Sequence, residues 1–93
     1  MTIALLSVEL HLPYSQSLKD KRQVLRRLKD RLAAFNVSVA EVAHHDLWQR
    51  AGLAVVTVGT SDDIVEQTLT KAMDEIERLE PGLVTQRQVE YLR

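Results

Sequence analysis

Apolar residues occupy every second position over the first dozen residues of the chain, from Ala4 to Leu12. The intervening positions form the opposite face and become polar along the chain: Ile3, Leu5, Ser7, Glu9 and His11. A period of two is typical of a β-strand with one buried face. The pattern therefore predicts a first strand from Thr2 to Leu12.

A helical repeat follows the break at Pro13. Ser17 precedes Asp20 by three positions, a spacing that allows a capping box at a helix N-terminus. Apolar residues then recur at helical spacing: Leu18, Leu25, Leu28, Leu32 and Phe35. With Asn36 as a left-handed stop, the pattern predicts a first helix over about residues 17–35.

Two runs rich in β-branched residues come next, Val37 to Val42 and Leu53 to Val58. They predict a hairpin whose connection contains His44 to Arg50. A second helix is predicted after the cap candidates Thr60 to Asp63, and it ends at Pro81-Gly82. Its apolar stripe is Val65, Leu69, Ala72, Ile76 and Leu79.

The tail from Leu83 to Leu92 alternates again, and its polarity favours an edge strand. The predicted order of elements is thus βαββαβ. Right-handed crossovers then place both helices on one face of a four-stranded antiparallel sheet. We expect an α+β, ferredoxin-like sandwich that forms a single domain over residues 1–93, because a chain of this length supports one core.

The composition, 45% hydrophobic and 27% charged, is that of a folded globule. The absence of cysteine excludes a disulfide framework, a thiolate zinc site and a cysteine nucleophile. No stretch approaches the ~20 apolar residues of a membrane span, and the first residues lack a basic leader. We therefore expect a soluble, untargeted, cytoplasmic protein with no membrane partner.

Seven of the twelve lysine and arginine residues lie between Lys19 and Arg31, although the formal net charge is only −1. Four of them share one sector of the helical wheel beside the apolar stripe: Lys19, Arg22, Arg26 and Lys29. Such concentrated charge favours an anionic partner, and a solvated helix face is the alternative. The second helix is acidic, so it would repel phosphate but allows self-association with the first helix.

The face of the first strand away from the helices is apolar at Ile3 and Leu5, and we expect Leu53 and Val55 to join it. An exposed face of this kind more often marks a protein interface than a ligand groove, which favours sheet-to-sheet dimerisation. The two central strands carry no aromatic residue. This argues against base stacking on the sheet and leaves contacts to the nucleic-acid backbone.

Lys21 falls in the middle of the apolar stripe of the first helix. We expect its stem to cover apolar surface while its ammonium reaches water, and the alternative is a contact with Glu9 or Glu41. Trp48 is expected to fold back over the end of the core, with a partner contact as the alternative. Arg50 beside it can bind a phosphate or a carboxylate.

His44-His45-Asp46 contains possible metal ligands, but adjacent side chains on an extended strand point to opposite faces and chelate one ion poorly. Glu9 and Glu41 can form a carboxylate pair, although no nucleophile or oxyanion donor is apparent nearby. We therefore predict no metal site, no cofactor, no catalytic residue and no enzymatic activity. The alternative is an enzyme or metal protein built around Glu9, His11, Glu41 and His44.

Three segments together resemble the YlxP-like family of small bacterial proteins of unknown function: Ser17 to Arg22, Phe35 to Val42 and Asp46 to Ala51. The resemblance extends over nearly the whole chain, in matching order and spacing. It implies a ferredoxin-like fold, dimerisation and a cytoplasmic location. Members are often encoded beside genes for a translation initiation factor and ribosome-binding factor A, which implies a role near ribosome assembly or RNA.

The leading hypothesis is a non-enzymatic protein that binds structured RNA or a ribosomal subunit through phosphate contacts of five residues: Lys19, Arg22, Arg26, Lys29 and Arg50. The alternative is a protein-interaction or self-assembly module, such as a homodimer. Its interface would use Ile3, Leu5, Leu53, Val55 and Trp48.

Overall fold

The computed structural model describes residues 1–92. Its elements are β1 (Thr2–His11), α1 (Leu18–Leu32), β2 (Ser38–Ala43), β3 (Arg50–Gly59), α2 (Asp62–Leu79) and β4 (Val84–Leu92). The strands form one antiparallel sheet in the order β2-β3-β1-β4, so that β1 and β3 are central and β4 lies at an edge. The predicted α+β, ferredoxin-like fold and the edge position of the last strand are confirmed.

The first turn of α1 is closed by the predicted capping residues. The Ser17 hydroxyl accepts the backbone N–H of Asp20 at 3.0 Å, and the Asp20 carboxylate accepts the N–H of Gln16 at 3.0 Å. The helix ends at Leu32, earlier than predicted, and Asn36 has no positive φ. Its side-chain amide instead donates to the Val58 carbonyl at 3.0 Å, which ties the chain entering β2 to β3.

The core lies between one face of the sheet and the apolar stripes of the two helices. Leu53 and Val55 belong to this core, with exposed fractions of 1% and 0%, so their predicted place on the open face was wrong. The reason is the register: Leu53 is opposite Val8 and Val55 is opposite Leu6. Residues opposite each other in a ladder point to the same face, and Val8 and Leu6 face the helices.

The open face, away from the helices, is formed at its centre by β1 and β3. Ile3 and Leu5 lie there half-buried, as predicted, and Val56 and Val58 are their exposed partners on β3. Gly52 is also part of this face. A Cβ atom on Gly52 would lie 2.8 Å from the Cβ of Ala43. Ala43 is opposite Gly52 because the register of β2 shifts at a bulge between Glu41 and Ala43. No helix within residues 1–92 is long and apolar enough to cross a membrane.

Candidate functional site

Several of the polar residues named from the sequence lie close together at one end of the sheet. The ends of β1 and β2 meet the start of β3 there, since β3 is antiparallel to both of its neighbours. The first turn of α1 covers this end on the helix side. We call this group the strand-end cluster; its members are Glu9, Lys21, Glu41, His44 and Arg50.

Lys21 is the most buried charged residue of the cluster, with an exposed fraction of 1%. Its Nζ lies 2.9 Å from a carboxylate oxygen of Glu41. It also donates to three backbone carbonyls, at 2.8 Å to His44, 3.2 Å to His45 and 3.3 Å to Arg50. The prediction that its ammonium reaches water was therefore wrong, and the alternative contact with Glu41 is the observed one. These contacts offset the free-energy cost of removing the charged ammonium from water.

The contacts of Lys21 join both ends of the β2–β3 loop, which comprises residues 44–49. Two of the accepting carbonyls belong to the start of the loop, and the third belongs to Arg50, where β3 begins. A second anchor is Gln49, whose side-chain amide donates at 3.1 Å to the carbonyls of Pro13 and Ser15. Hydrogen bonds from Lys21 to backbone carbonyls of the loop, and from the Gln49 side chain to Pro13 and Ser15, thus fix the loop to the rest of the molecule.

The anchored loop presents its apolar side chains to solvent. Trp48 is 53% exposed and Leu47 is 45% exposed, so the prediction that Trp48 folds back over the core was wrong. Together with His11, Asp46 and Arg50 they line a shallow groove of about 430 Å³. Partner contact, the alternative for Trp48, stays a prediction.

Glu9 and Glu41 do not form a pair, because they lie on opposite faces of the sheet. Glu9 is opposite Gly52 and Glu41 is opposite Leu53, the next residue along β3. On the open face, a Glu9 carboxylate oxygen lies 3.1 Å from Nε2 of His44 and 3.8 Å from the guanidinium of Arg50.

The rings of the adjacent residues His44 and His45 contact different partners. His44 has a left-handed backbone, with φ 64°, and its ring turns to Glu9. The ring of His45 lies 3.1 Å from the Glu41 carbonyl instead. Within the described part of the chain, no group of three or more His, Asp and Glu side chains is placed to hold a metal ion.

The basic face of α1 is the second candidate surface, and we call it the basic ridge. Its residues are exposed and take part in no ion pair found among residues 1–92: Lys19, Arg22, Arg26 and Lys29. Arg27 differs, because it pairs with Glu80 just after α2. Since Arg27 lies on the other flank of the apolar stripe, the ridge faces away from α2.

Glu80 also accepts the Tyr14 hydroxyl at 3.1 Å, so that it joins the loop before α1 to the end of α2. Burial raises the pKa of Tyr14 above its ordinary value, and the positive charge of Arg27 offsets part of this rise. This contact stands on the α2 flank of α1, away from the basic ridge.

A family model matches residues 3–89, and its description is "Protein of unknown function (DUF503)". The chain belongs to this family. A relative is the "Uncharacterized protein YlxP" of Bacillus subtilis (strain 168), which is 38% identical over 58 residues. That match covers 61% of this chain and 63% of YlxP, so the chain spans less than two thirds of its relative.

Solved structures similar to this DUF503 protein agree in fold alone, since their identities are low. The designed protein Ferredog-Diesel matches with a TM-score of 0.57 and 13% identity, over 97% of this chain and 84% of its own. SnoaB, a cofactor-independent oxygenase from Streptomyces nogalater, matches with a TM-score of 0.56 and 11% identity, over 99% and 91%. A REP-associated tyrosine transposase bound to a REP hairpin matches with a TM-score of 0.53 and 15% identity, over 98% and 56%.

The sequence alone does not reveal that Lys21 anchors the β2–β3 loop of this DUF503 protein. The available signal was a lysine within an apolar stripe, which indicates a buried charge with a partner. Every residue has a backbone carbonyl, however, so a sequence does not indicate which carbonyls accept a hydrogen bond from Lys21. Three of its four partners are of this kind.

Proposed function

We propose that this protein is a non-enzymatic, cytoplasmic RNA-binding protein that associates with ribosomal RNA or a ribosomal subunit. The basic ridge of α1 contacts phosphates of the RNA backbone. The observation that carries this proposal is that four cations of one helix face are exposed while none of them lies within ion-pairing distance of a described carboxylate. Unpaired cations in a row attract a polyanion more strongly than paired ones do.

The dimensions of the ridge support the same partner. From Lys19 to Lys29 the helix rises about 15 Å, at ~1.5 Å per residue, which is enough to follow two or three successive phosphates. The acidic helix α2 restricts the approach, because its carboxylates repel phosphate. RNA therefore docks from the flank of α1 that faces away from α2.

The test is binding of the purified protein to ribosomal subunits and to total RNA across a salt series. If two or three phosphates are engaged, log affinity falls with log salt at a slope of about −1.5 to −3, at ~0.7 to 0.9 per phosphate. The variant Arg22→Glu/Arg26→Glu should lower this slope by about 2 units and weaken binding strongly. A slope near zero in the wild-type protein overturns the proposal.

The matched control is Lys71→Glu/Arg87→Glu, which makes the same change in net charge away from the ridge. Both residues are exposed, on α2 and β4 respectively. If this control weakens binding as much as the ridge variant does, binding responds to net charge and the ridge is not the docking surface.

A second candidate is self-association through the open face of the sheet, with a homodimer as the product. It is supported by Val56 and Val58, which are 38% and 47% exposed beside half-buried Ile3 and Leu5. Leu5→Asp should then dissociate the assembly in sedimentation equilibrium, whereas Gln67→Asp on α2 should not. A wild-type protein that sediments as a monomer at high concentration contradicts this candidate.

A further inference from the structure

We infer that the outer edge of β4, on the side away from β1, is a docking site for an extended, cationic polypeptide segment of another protein. The segment adds to the sheet as a fifth strand. The strand order β2-β3-β1-β4 leaves two edges, and within residues 1–92 no strand pairs with the outer edge of β4. Its backbone N–H and C=O groups on that side can therefore pair with a further strand. This site uses neither the basic ridge nor the open face, so it is independent of the proposed RNA binding.

The two edges of the sheet differ in how well they suit pairing. β2 has six residues, and its register with β3 shifts at a bulge between Glu41 and Ala43. Short and bulged strands are common protections of a sheet edge. β4 pairs with β1 without a shift from Gln86 to Leu92, and this stretch contains no proline and no lysine. β4 therefore offers a regular edge over residues 86–92.

A groove of about 390 Å³ runs along this edge on the helix side of the sheet, between α2 and β4. α2 packs mainly over β1 and β3, so β4 extends beyond it. Arg87 and Val89 of β4 face the groove, because they are opposite Val8 and Leu6 on the core side of β1. A fifth strand paired with β4 would place every second side chain on this same side, beside the groove.

The charge of the groove determines which side chains the incoming strand presents there. Glu66 and Asp74 line it from α2, and Arg87 lines it from β4; all three are exposed. None of them takes part in an ion pair found among residues 1–92. Two carboxylates against one guanidinium leave the groove negative, so it attracts lysine or arginine and repels carboxylates. Val89 is 44% exposed, and an apolar residue between two cations would cover it.

The same charge disfavours a second copy of the chain as the occupant. Antiparallel pairing of two β4 strands would place both α2 helices on one face of a continuous sheet, about 15–20 Å apart at ~4.8 Å per strand. With helix radii of about 5 Å, the carboxylates of Glu66 and Asp74 would face the same residues of the other copy across about 5–10 Å. This separation is within the Debye length of ~8–10 Å, so the two flanks would repel each other. A cationic segment of another protein meets attraction instead.

The test is binding of the full chain to a fluorescein-labelled peptide of about eight residues, which alternates lysine and valine on one face with threonine on the other. The peptide should bind in fluorescence anisotropy, and a version with glutamate in place of lysine should bind at least about 10-fold more weakly. Two further versions carry N-methyl groups on alternate amides, one version for each edge of the peptide. Methylation of one edge should abolish binding and methylation of the other should not, because only one edge pairs with β4.

Hydrogen exchange and charge variants locate the contact on the protein. Bound peptide should slow amide exchange within residues 86–92 and leave exchange in β2 unchanged. Glu66→Lys/Asp74→Lys should weaken peptide binding about 10-fold. The matched control is Asp30→Lys/Asp46→Lys, which makes the same change in net charge at exposed positions outside the groove. It should change the affinity by less than about 3-fold.

Four outcomes would overturn the inference. The first is no binding of the lysine peptide at about 1 mM and low salt. The second is equal binding of both N-methylated peptides, which would show that no backbone pairing occurs. The third is protection of β2 in place of β4. The fourth is protection of β4 that rises with protein concentration in the absence of peptide, which would assign this edge to a second copy. The RNA proposal stands or falls separately, in the salt series.

Discussion

The ammonium of Lys21 lies 2.9 Å from the carboxylate of Glu41, and this ion pair joins the first turn of α1 to the edge strand β2. It is buried on the lysine side and mostly covered on the glutamate side, where 16% of the side chain is exposed. A buried pair of this kind costs desolvation, so its contribution depends on both partners being present. Removing one partner leaves the other charge unpaired.

Lys21→Met should therefore lower the free energy of unfolding by about 3 kcal/mol, because it strands Glu41 and three backbone carbonyls. The double variant Lys21→Met/Glu41→Leu should recover part of this loss, since no charge stays buried. Urea unfolding of the wild type, Lys21→Met, Glu41→Leu and the double variant measures these values. A double variant that is as unstable as the sum of the single variants would show that the two residues act independently.

Gly52 and Ala43 form a tight contact across the β2–β3 ladder. Gly52→Ala should destabilise the protein by about 1–3 kcal/mol, because the new Cβ would lie 2.8 Å from that of Ala43. Ala43→Gly in the same chain should restore most of the stability by removing the other methyl group. Thermal unfolding of the single and double variants tests this pairing, and an unrescued double variant would assign the glycine another role.

Arg26 and Arg27 are neighbours on α1 with separate roles. Arg27→Ala should lower the free energy of unfolding by at most about 1 kcal/mol, because the ion pair between half-exposed Arg27 and buried Glu80 is lost, and it should leave RNA affinity nearly unchanged. Arg26→Ala should weaken RNA binding and leave the free energy of unfolding unchanged. Paired measurements of unfolding and RNA affinity check this, and equal effects of both variants on RNA would contradict the placement of the ridge.

Tyr14 should make stability depend on alkaline pH. Because burial raises the pKa of its hydroxyl in the folded state, the folded protein holds this proton more tightly than the unfolded chain does. The contribution is complete below the unfolded value of about 10 and is lost as the pH rises through the folded value. Urea unfolding between about pH 8 and pH 11 should show a steeper decline for wild type than for Tyr14→Phe. Parallel curves would indicate that Tyr14 titrates alike in both states.

The sequence predicted the elements well because each has its own local signal. β1 alternates strictly, and Ser17 and Asp20 mark the start of α1 as the structure has it. Which residues of β3 face the core could not be predicted in the same way, since the run from Leu53 to Val58 is apolar at nearly every position. Only pairing with β1 decides which of these residues face the helices.

The candidate site was less predictable than the fold, because its geometry depends on distant backbone. The exposure of the basic ridge follows from helix periodicity alone. The position of Trp48 depends on a loop whose ends are held by Lys21 and Gln49, and those contacts are to carbonyls of segments far apart in sequence. Local patterns carry no information about such contacts.

The β2–β3 loop is bound to both layers of the molecule at once. Lys21 reaches His44 from the helix layer through its carbonyl, and Glu9 reaches the His44 ring from the open face of the sheet. A molecule that displaced the loop while binding at one face would disturb a contact at the other. By thermodynamic reciprocity, a ligand at one face that shifted His44 would alter the affinity of a ligand at the other face by the same factor, because the carbonyl and the ring of His44 contact opposite layers.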